Sequence, residues 1–277
     1  MAENDSFSQF TLGDFTCVSL CDGYHDYAPS GFFANAPREH VEEALRASNL
    51  PLEHIRTPYT YLYVDTGDNR VLVDIGAGDI FPTTGRLVQS MQDAGILPLR
   101  IDTIAITHAH PDHIGGALDE QGNLVFPNAR YFISRREWEF WHSDDAAAIA
   151  PEKLVPCIAF ARKHLAPMKS QVVLVDGESE LVPGIRAIPA PGHTPGHMII
   201  EVASAGEVLL YIGDTVLHPL HLAHPDWLPV YDTLPEEAGT SKQAVFDRAA
   251  QEHRLVMGQH FPPKGLAPGA ARDLLEE

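Results

Sequence analysis

The chain has 277 residues, of which 44% are hydrophobic, and this is enough to build one α/β domain with a substantial core. Its 19 Lys and Arg residues are outnumbered by 38 Asp and Glu residues, and the formal charge of -19 disfavours binding to a nucleic-acid backbone or an anionic membrane face. The sequence has no signal-like segment at its start and no apolar run near the roughly 20 residues of a membrane span. We therefore expect a cytoplasmic protein that binds neither nucleic acid nor membranes.

The cysteines Cys17, Cys21 and Cys157 are odd in number and do not follow the spacing of a metal knuckle. They are expected to be small buried side chains in a reducing compartment rather than disulfides or metal ligands.

Runs of apolar and β-branched residues alternate with helix-like stretches in the first half of the chain. The predicted strands are residues 15–20, 57–65, 70–75, 101–106 and 130–133, and the predicted helices are residues 37–48, 84–94 and 151–165. The turn-rich residues 66–69 predict a hairpin between the second and third strands. Pro156 interrupts the last predicted helix.

Residues 134–137 read Ser-Arg-Arg-Glu and match a capping box, in which Glu137 would bond back to the start of its helix. That helix carries Trp138 and Trp141, whose spacing favours core contacts over a role in lining a substrate site.

The densest group of metal-ligand side chains directly follows the predicted strand at residues 101–106. Residues 107–116 read Thr-His-Ala-His-Pro-Asp-His-Ile-Gly-Gly. The candidate ligands are His108, His110, Asp112 and His113. Imidazole and carboxylate groups suit zinc, manganese or iron. Because Pro111 disfavours a helix through this point, we expect the four side chains to splay from a tight loop toward two neighbouring points.

Asp74 ends the predicted hairpin just before two glycines. Its carboxylate could hydrogen-bond to the metal ligands, or it could simply cap a turn.

The second half continues with short predicted strands at residues 172–175, 185–189, 197–202, 207–212 and 254–257. A helix is predicted over residues 241–253, with Thr240 or Ser241 as its cap. The proline-rich stretch 217–235 is the longest irregular segment, and such segments are usually functional or mobile.

Three further candidate ligands lie where predicted strands of the second half end: His193, Asp214 and His260. A glycine lies just before each of them and allows the backbone to approach a crowded site.

In this order, the motifs resemble those of the metallo-β-lactamase superfamily, from the hairpin before Asp74 to His260. Within the superfamily, the sequence is most similar to the methyl parathion hydrolase subgroup. The segments that carry this similarity are residues 72–76, 107–116, 125–129, 181–185 and 192–197.

The resemblance implies an αββα sandwich of the metallo-β-lactamase type. It would form a single domain over residues 1–277, with two similar halves at about 1–168 and 169–277 and a site at one edge. It also implies two divalent cations, with zinc as the first choice and manganese, iron or cobalt as alternatives. His108, His110 and His193 would hold one cation, and Asp112, His113 and His260 the other, with Asp214 between them. A bridging aspartate is usual in lactonase, glyoxalase II and phosphotriesterase branches, so β-lactam hydrolysis is disfavoured.

Two cations about 3.5 to 4 Å apart can generate a bridging hydroxide as nucleophile, while Asp112 or Asp214 assists the leaving group. No Gly-x-Ser-x-Gly motif is present to support a serine nucleophile. We therefore expect a hydrolase of small, largely apolar substrates, in the order lactone, aryl ester and neutral phosphotriester. Aromatic residues available to line the pocket are Phe32, Phe33, Trp138, Trp141, Trp227, Tyr231 and Phe261.

Other functions stay open at this point. The fold and part of the ligand set also occur in mononuclear iron persulfide dioxygenases and in glyoxalase II-like thioester hydrolases. A non-catalytic binding module is a further alternative, and the acidic charge disfavours a nuclease. The expected partners are a small-molecule substrate and a second copy of the chain in a homodimer.

Overall fold

The computed structural model describes residues 6–251 and 254–261 and contains two β-sheets with helices on their outer faces. The strands are β1 Phe7–Leu12, β2 Phe15–Tyr27, β3 Ile55–Asp65, β4 Arg70–Val73, β5 Thr103–Ile106, β6 Arg130–Ser134, β7 Val172–Val175, β8 Ser179–Val182, β9 Ile185–Pro189, β10 Met198–Ser204, β11 Glu207–Tyr211 and β12 Leu255–Met257. The helices are α1 Pro29–Phe32, α2 Arg38–Ala47, α3 Leu87–Asp93, α4 Pro111–Ile114, α5 Arg135–His142, α6 Ala146–Ile149, α7 Val155–Leu165, α8 Leu220–Ala223 and α9 Pro235–Gln251. This arrangement confirms the predicted αββα sandwich.

The first sheet contains seven strands in the order β1 to β7. The strands from β1 to β4 are antiparallel, including the predicted hairpin of β3 and β4, and the strands from β4 to β7 run parallel. All four residues of β5 are buried, as expected for a parallel strand covered on both faces. The loop that follows β5 carries the first four candidate ligands.

The second sheet contains five strands in the order β12, β11, β10, β9 and β8. Side chains from the inner faces of the two sheets form one apolar core, in which Leu62 and Val73 pack with Ile200 and Leu209. Helices cover the outer faces, and α9 packs Val245 against the second sheet. Within the described residues, no helix combines the length and apolarity required to cross a membrane.

Several element boundaries differ from the prediction. Strands β1 and β8 were not predicted, and α9 begins at Pro235 rather than near residue 241. Thr240 is inside that helix and donates to the carbonyl of Glu236 at 3.1 Å, so the predicted cap is wrong. Pro156 lies in the first turn of α7, where proline costs no hydrogen bond, so it starts the helix instead of interrupting it. The predicted end of α9 at residue 253 falls outside the described residues.

The proline-rich stretch after β11 packs as an ordered segment that contains α8. Its Trp227 and Leu217 share an apolar cluster with Phe33 and Leu45 from the segment between β2 and β3. The buried ammonium of Lys242 donates to the carbonyl oxygens of Pro225 and Trp227, at 3.2 and 3.0 Å. These contacts fasten the segment to α9.

Candidate metal centre

The seven predicted ligands lie together where the carboxyl ends of several strands meet. Their side chains form two groups with potential ligand atoms within 4.8 Å of one another. The first group is His108, His110, His193 and Asp214, and the second is Asp112, His113, His260 and Asp214. Six of these residues are buried, and Asp112 is partly exposed.

Pro111 has a different effect from the one predicted. It occupies the first position of α4, where its fixed φ angle suits a helix and no hydrogen bond is lost. Asp112 and His113 therefore project from a single helical turn, while His108 and His110 come from the extended chain before it. The hydroxyl of Tyr61 donates to the carbonyl oxygen of Asp112 at 2.5 Å and holds this turn in place.

In the first group, three imidazole nitrogens face one another. Nδ1 of His110 lies 3.0 Å from Nε2 of His108 and 2.9 Å from Nε2 of His193. Nε2 of His110 is buried without a hydrogen-bond partner among the described residues. At most one proton can be shared across the two contacts that Nδ1 of His110 makes. One cation, in contrast, would satisfy the lone pairs of all three facing nitrogens.

Asp214 presents one carboxylate oxygen to each group. Its Oδ2 lies 3.1 Å from Nε2 of His193 and 3.8 Å from Nε2 of His108. Its Oδ1 lies 3.2 Å from Nε2 of His260 and 3.4 Å from Nε2 of His113. This placement suits a carboxylate that would contribute one oxygen to each of two cations.

Hydrogen bonds outside the two groups fix which nitrogen of each ring points inward. Nδ1 of His113 donates to Asp74 at 2.8 Å, Nδ1 of His193 donates to Asp232 at 2.9 Å, and Nδ1 of His260 donates to the carbonyl of Pro58 at 3.0 Å. Because Nδ1 carries a proton in each case, Nε2 is the nitrogen that faces the site and can bind a cation once it has lost its own proton. The three imidazoles are thus oriented as ligands, and the donor set fits a pair of divalent cations.

The buried ring of His197 packs against residues 213 and 214 and positions the backbone of Asp214. Nε2 of His197 accepts a hydrogen bond from the Asp214 amide at 3.1 Å. Burial lowers the pKa of His197 to about 3, so the ring is a neutral acceptor. Gly213 has a φ of 48°, and a Cβ there would lie 2.8 Å from the same nitrogen. The glycine predicted to permit close approach is therefore required at this position.

Charges within the site oppose the effect of burial. Burial alone would raise the pKa of Asp214, but His260, His113 and His193 hold that pKa well below its ordinary value. Burial would lower the pKa of His193, but Asp214 and Asp232 raise it to about 9 in the metal-free chain. The carboxylate of Asp214 is therefore ionised.

Asp74 hydrogen-bonds to His113, one of the candidate metal ligands, and this was one of the two roles considered for it. Asp232 was not predicted, and it lies in the long segment after β11. Glu137 was interpreted as part of a capping box, and that interpretation is wrong. Ser134 makes no capping hydrogen bond, and the carboxylate of Glu137 points into the interior beside the site.

The two ligand groups open into a cavity of about 440 Å³, within the range of small-molecule sites. The floor is formed by His110, Asp112, His193, Asp214 and His260. The walls are largely apolar and include Tyr27, Phe32, Phe81, Leu154, Phe160 and Leu217. Cys157, which was expected to be buried, is half-buried and also lines this cavity.

Of the aromatic residues considered for the pocket, Phe32 and Tyr231 line it. The others belong to apolar packing clusters: Phe33, Trp138, Trp141, Trp227 and Phe261. The aromatic walls Tyr27, Phe81 and Phe160 were missed, because they come from elements that meet only in the folded chain.

The chain is similar to known metal-dependent hydrolases. A model of the Metallo-beta-lactamase superfamily matches residues 56–260. An N-acyl homoserine lactonase of a Bacillus species is 28% identical over 204 residues, which cover 65% of this chain and 74% of the relative.

Two solved structures resemble the chain over nearly its whole length. AidC, a dizinc quorum-quenching lactonase in complex with a product, is 29% identical with a TM-score of 0.88, and the match covers 96% of this chain and 95% of that one. AbOPH, a hydrolase in the beta lactamase superfamily, is 27% identical with a TM-score of 0.87 and the same coverage. The chain therefore belongs to the metallo-beta-lactamase superfamily and is a metal-dependent hydrolase.

Proposed function

We propose that this hydrolase uses two zinc ions to open lactones that carry an apolar chain, with N-acyl homoserine lactones as the first substrates to test. The observation that carries the proposal is Asp214, whose two oxygens face two separate histidine groups on the floor of an apolar cavity. The N-acyl homoserine lactonases among its relatives support the substrate class.

The residues fall into two ligand sets in this proposal. His108, His110 and His193 would hold the first cation, and Asp112, His113 and His260 would hold the second, with Asp214 able to contribute to both. The two halves of the sequence, about 1–168 and 169–277, both contribute ligands, so we propose that residues 1–277 act as one catalytic domain.

When bound, the cations supply a Lewis acid for the substrate carbonyl and lower the pKa of a water toward neutrality. The partly exposed carboxylate of Asp112 lies at the cavity floor, where it can accept a proton and return it to the leaving oxygen. Water adds to the carbonyl carbon, the ring C–O bond breaks, and the proton ends on the new hydroxyl group. The product is a hydroxy acid.

The cavity walls orient the substrate. Phe32, Phe81 and Phe160 provide apolar surface for an acyl chain, while the reacting ring lies against the ligands. Burial of each methylene of such a chain contributes about 0.8 kcal/mol. Longer acyl chains should therefore bind more tightly until the cavity is full.

Aryl esters and neutral phosphotriesters form the second substrate class. The uncharged walls would accept them. The Bacillus relative and AidC are N-acyl homoserine lactonases rather than methyl parathion hydrolases specifically, so the subgroup expected from the sequence is not confirmed. A mononuclear iron dioxygenase is disfavoured, because the second ligand group is complete.

The test is to remove metals from the purified chain, reload it with zinc, manganese or cobalt, and assay a substrate panel. The panel contains N-acyl homoserine lactones of increasing chain length, simple γ-lactones, aryl esters, a thioester and a phosphotriester. We expect two equivalents of metal and the highest kcat/KM with acylated lactones. Hydrolysis of the thioester alone, or one iron per chain with oxygen consumption, would overturn the assignment.

A further inference from the structure

Glu137 is a fully buried carboxylate to which the proposed mechanism gives no role. It lies in the first turn of α5, and its two oxygens accept four hydrogen bonds. Oε1 accepts from the Ala109 amide at 2.9 Å and from the Trp141 indole at 2.6 Å. Oε2 accepts from the Thr194 hydroxyl at 2.7 Å and from the Gly196 amide at 2.9 Å.

Three of these four donors lie on two loops that are far apart in the sequence, and the fourth, Trp141, lies on α5 itself. Ala109 lies between His108 and His110, and Thr194 directly follows His193. One carboxylate thus holds the backbone next to all three histidines of the first metal group.

The loop that contains Gly196 is packed directly onto α5. A Cβ at Gly196 would lie 2.1 Å from the amide nitrogen of Glu137. Trp141, one turn later on α5, also contacts the ring of His110, with ring centroids 5.6 Å apart. The helix therefore supports the first metal group through Glu137 and through its neighbour.

Burial raises the pKa of Glu137, and the four hydrogen bonds that favour its ionised form oppose this effect. Among the described residues, no Lys or Arg forms an ion pair with it, and its ionised form satisfies all four donors. A buried charge is normally paired or lies next to a metal. His108 and His110 flank Ala109 in the chain, so a cation held by the first metal group would lie near the Glu137 carboxylate. That cation would supply the positive charge that balances the carboxylate.

We propose that Glu137 is a positioning residue for the first metal: it locks the two ligand loops together and lowers the energy of a cation between them. The inference rests on the proposed function only in requiring that the wild-type chain binds two cations. It assigns Glu137 no contact with substrate or metal.

The test compares Glu137→Gln with wild type and with Glu139→Gln, a change of equal charge at an exposed position on the same helix. Metal-free proteins are titrated with zinc against a competing chelator and, separately, with cobalt, whose visible spectrum reports the ligand set. We expect Glu137→Gln to bind one of its two metals about 10- to 100-fold more weakly, the range for residues that orient metal ligands. Glu139→Gln should match wild type.

Thermal unfolding with and without zinc separates this role from a purely structural one. A structural tie would lower the Tm of the metal-free and zinc-loaded forms by similar amounts. If Glu137 favours the cation, the increase in Tm on adding zinc will be smaller in Glu137→Gln than in wild type. Equal increases together with equal zinc affinities would overturn the inference.

A second variant keeps the test decisive if Glu137→Gln does not fold. Thr194→Val removes one donor to Glu137 and keeps the charge, and it should weaken the same metal by a smaller factor. Unchanged metal binding in this variant would count against the inference. If the wild-type chain itself fails to bind two cations, the proposed function fails instead.

Discussion

His113 and Asp74 are joined by a buried hydrogen bond in which the imidazole Nδ1 lies 2.8 Å from the carboxylate Oδ2. Asp74 also accepts from the amide and hydroxyl of Thr107, at 2.7 and 2.8 Å. Its φ of 59° is uncommon for a residue other than glycine and is held by these bonds. Backbone strain of this kind is concentrated at functional sites. Asp74 therefore connects the end of β4 to the second metal group.

Asp74→Asn should weaken the second metal, because an amide either loses the bond to His113 or reverses its polarity. We expect about 10- to 100-fold lower metal affinity or kcat/KM, as for other residues that orient metal ligands. Metal content after dialysis and kcat/KM at increasing zinc measure the effect. Asp68→Asn, at an exposed turn residue, is the control. Activity equal to that of the control would show that Asp74 serves only the turn.

Replacing Asp214 should weaken the binding of both metals, whereas replacing His260 should weaken the binding of only one. Asp214→Ala removes an oxygen from both ligand groups, so both metals should bind at least about 100-fold more weakly. His260→Ala removes a nitrogen from the second group alone and should leave one metal near its normal affinity. Metal equivalents per chain, counted after gel filtration, distinguish the two outcomes. The exposed His142→Ala serves as the control, and loss of both metals in His260→Ala would contradict the two-group arrangement.

Metal binding should release protons near neutral pH. In the metal-free chain, burial opposes the charge on His193, but Asp214 and Asp232 raise its pKa to about 9. The imidazole is therefore protonated at pH 7 and must lose its proton to bind a cation. Zinc affinity should rise with pH until about 9 and then level off. Calorimetry in buffers of different ionisation enthalpy measures the released protons. An affinity that does not depend on pH between 6 and 8 would contradict this prediction.

The sequence indicated the ligands better than the residues that support them. His108, His110, Asp112 and His113 are close in sequence, so their spacing alone predicted a candidate metal site at the end of a buried strand. Asp232 gives no such signal, because it contacts His193 only after a long segment folds back against α9.

Glu137 shows why a local pattern can mislead. Its spacing from Ser134 is that of a capping box, yet burial directs its carboxylate toward donors on two distant loops. The start of α9 was misplaced for a similar reason, since Thr240 and Ser241 look like caps but Pro235 already begins the helix. Strand β8 has two polar residues among its four and lacks a clear apolar run.

Tyr27 should donate a hydrogen bond to the substrate. Its hydroxyl lies 2.6 Å from that of Tyr59, which is fully buried and has no other hydrogen-bond partner among the described residues. Because an unpaired buried donor costs about 1 to 3 kcal/mol, Tyr59 is the donor of this bond. The proton of Tyr27 is then free to point into the cavity that Tyr27 lines.

Tyr27→Phe should therefore lower kcat/KM for an N-acyl homoserine lactone by roughly tenfold, the equivalent of one hydrogen bond of about 1.4 kcal/mol. A simple γ-lactone without the amide should lose less if the bond goes to the acyl carbonyl. Tyr59→Phe should have an intermediate effect, since it leaves the Tyr27 hydroxyl in place but free to turn away. Tyr63→Phe removes a hydroxyl that bonds weakly to Asp65, away from the cavity, and controls for the change of residue type. Equal rates for Tyr27→Phe and Tyr63→Phe on both substrates would show that the Tyr27 hydroxyl does not contact the substrate.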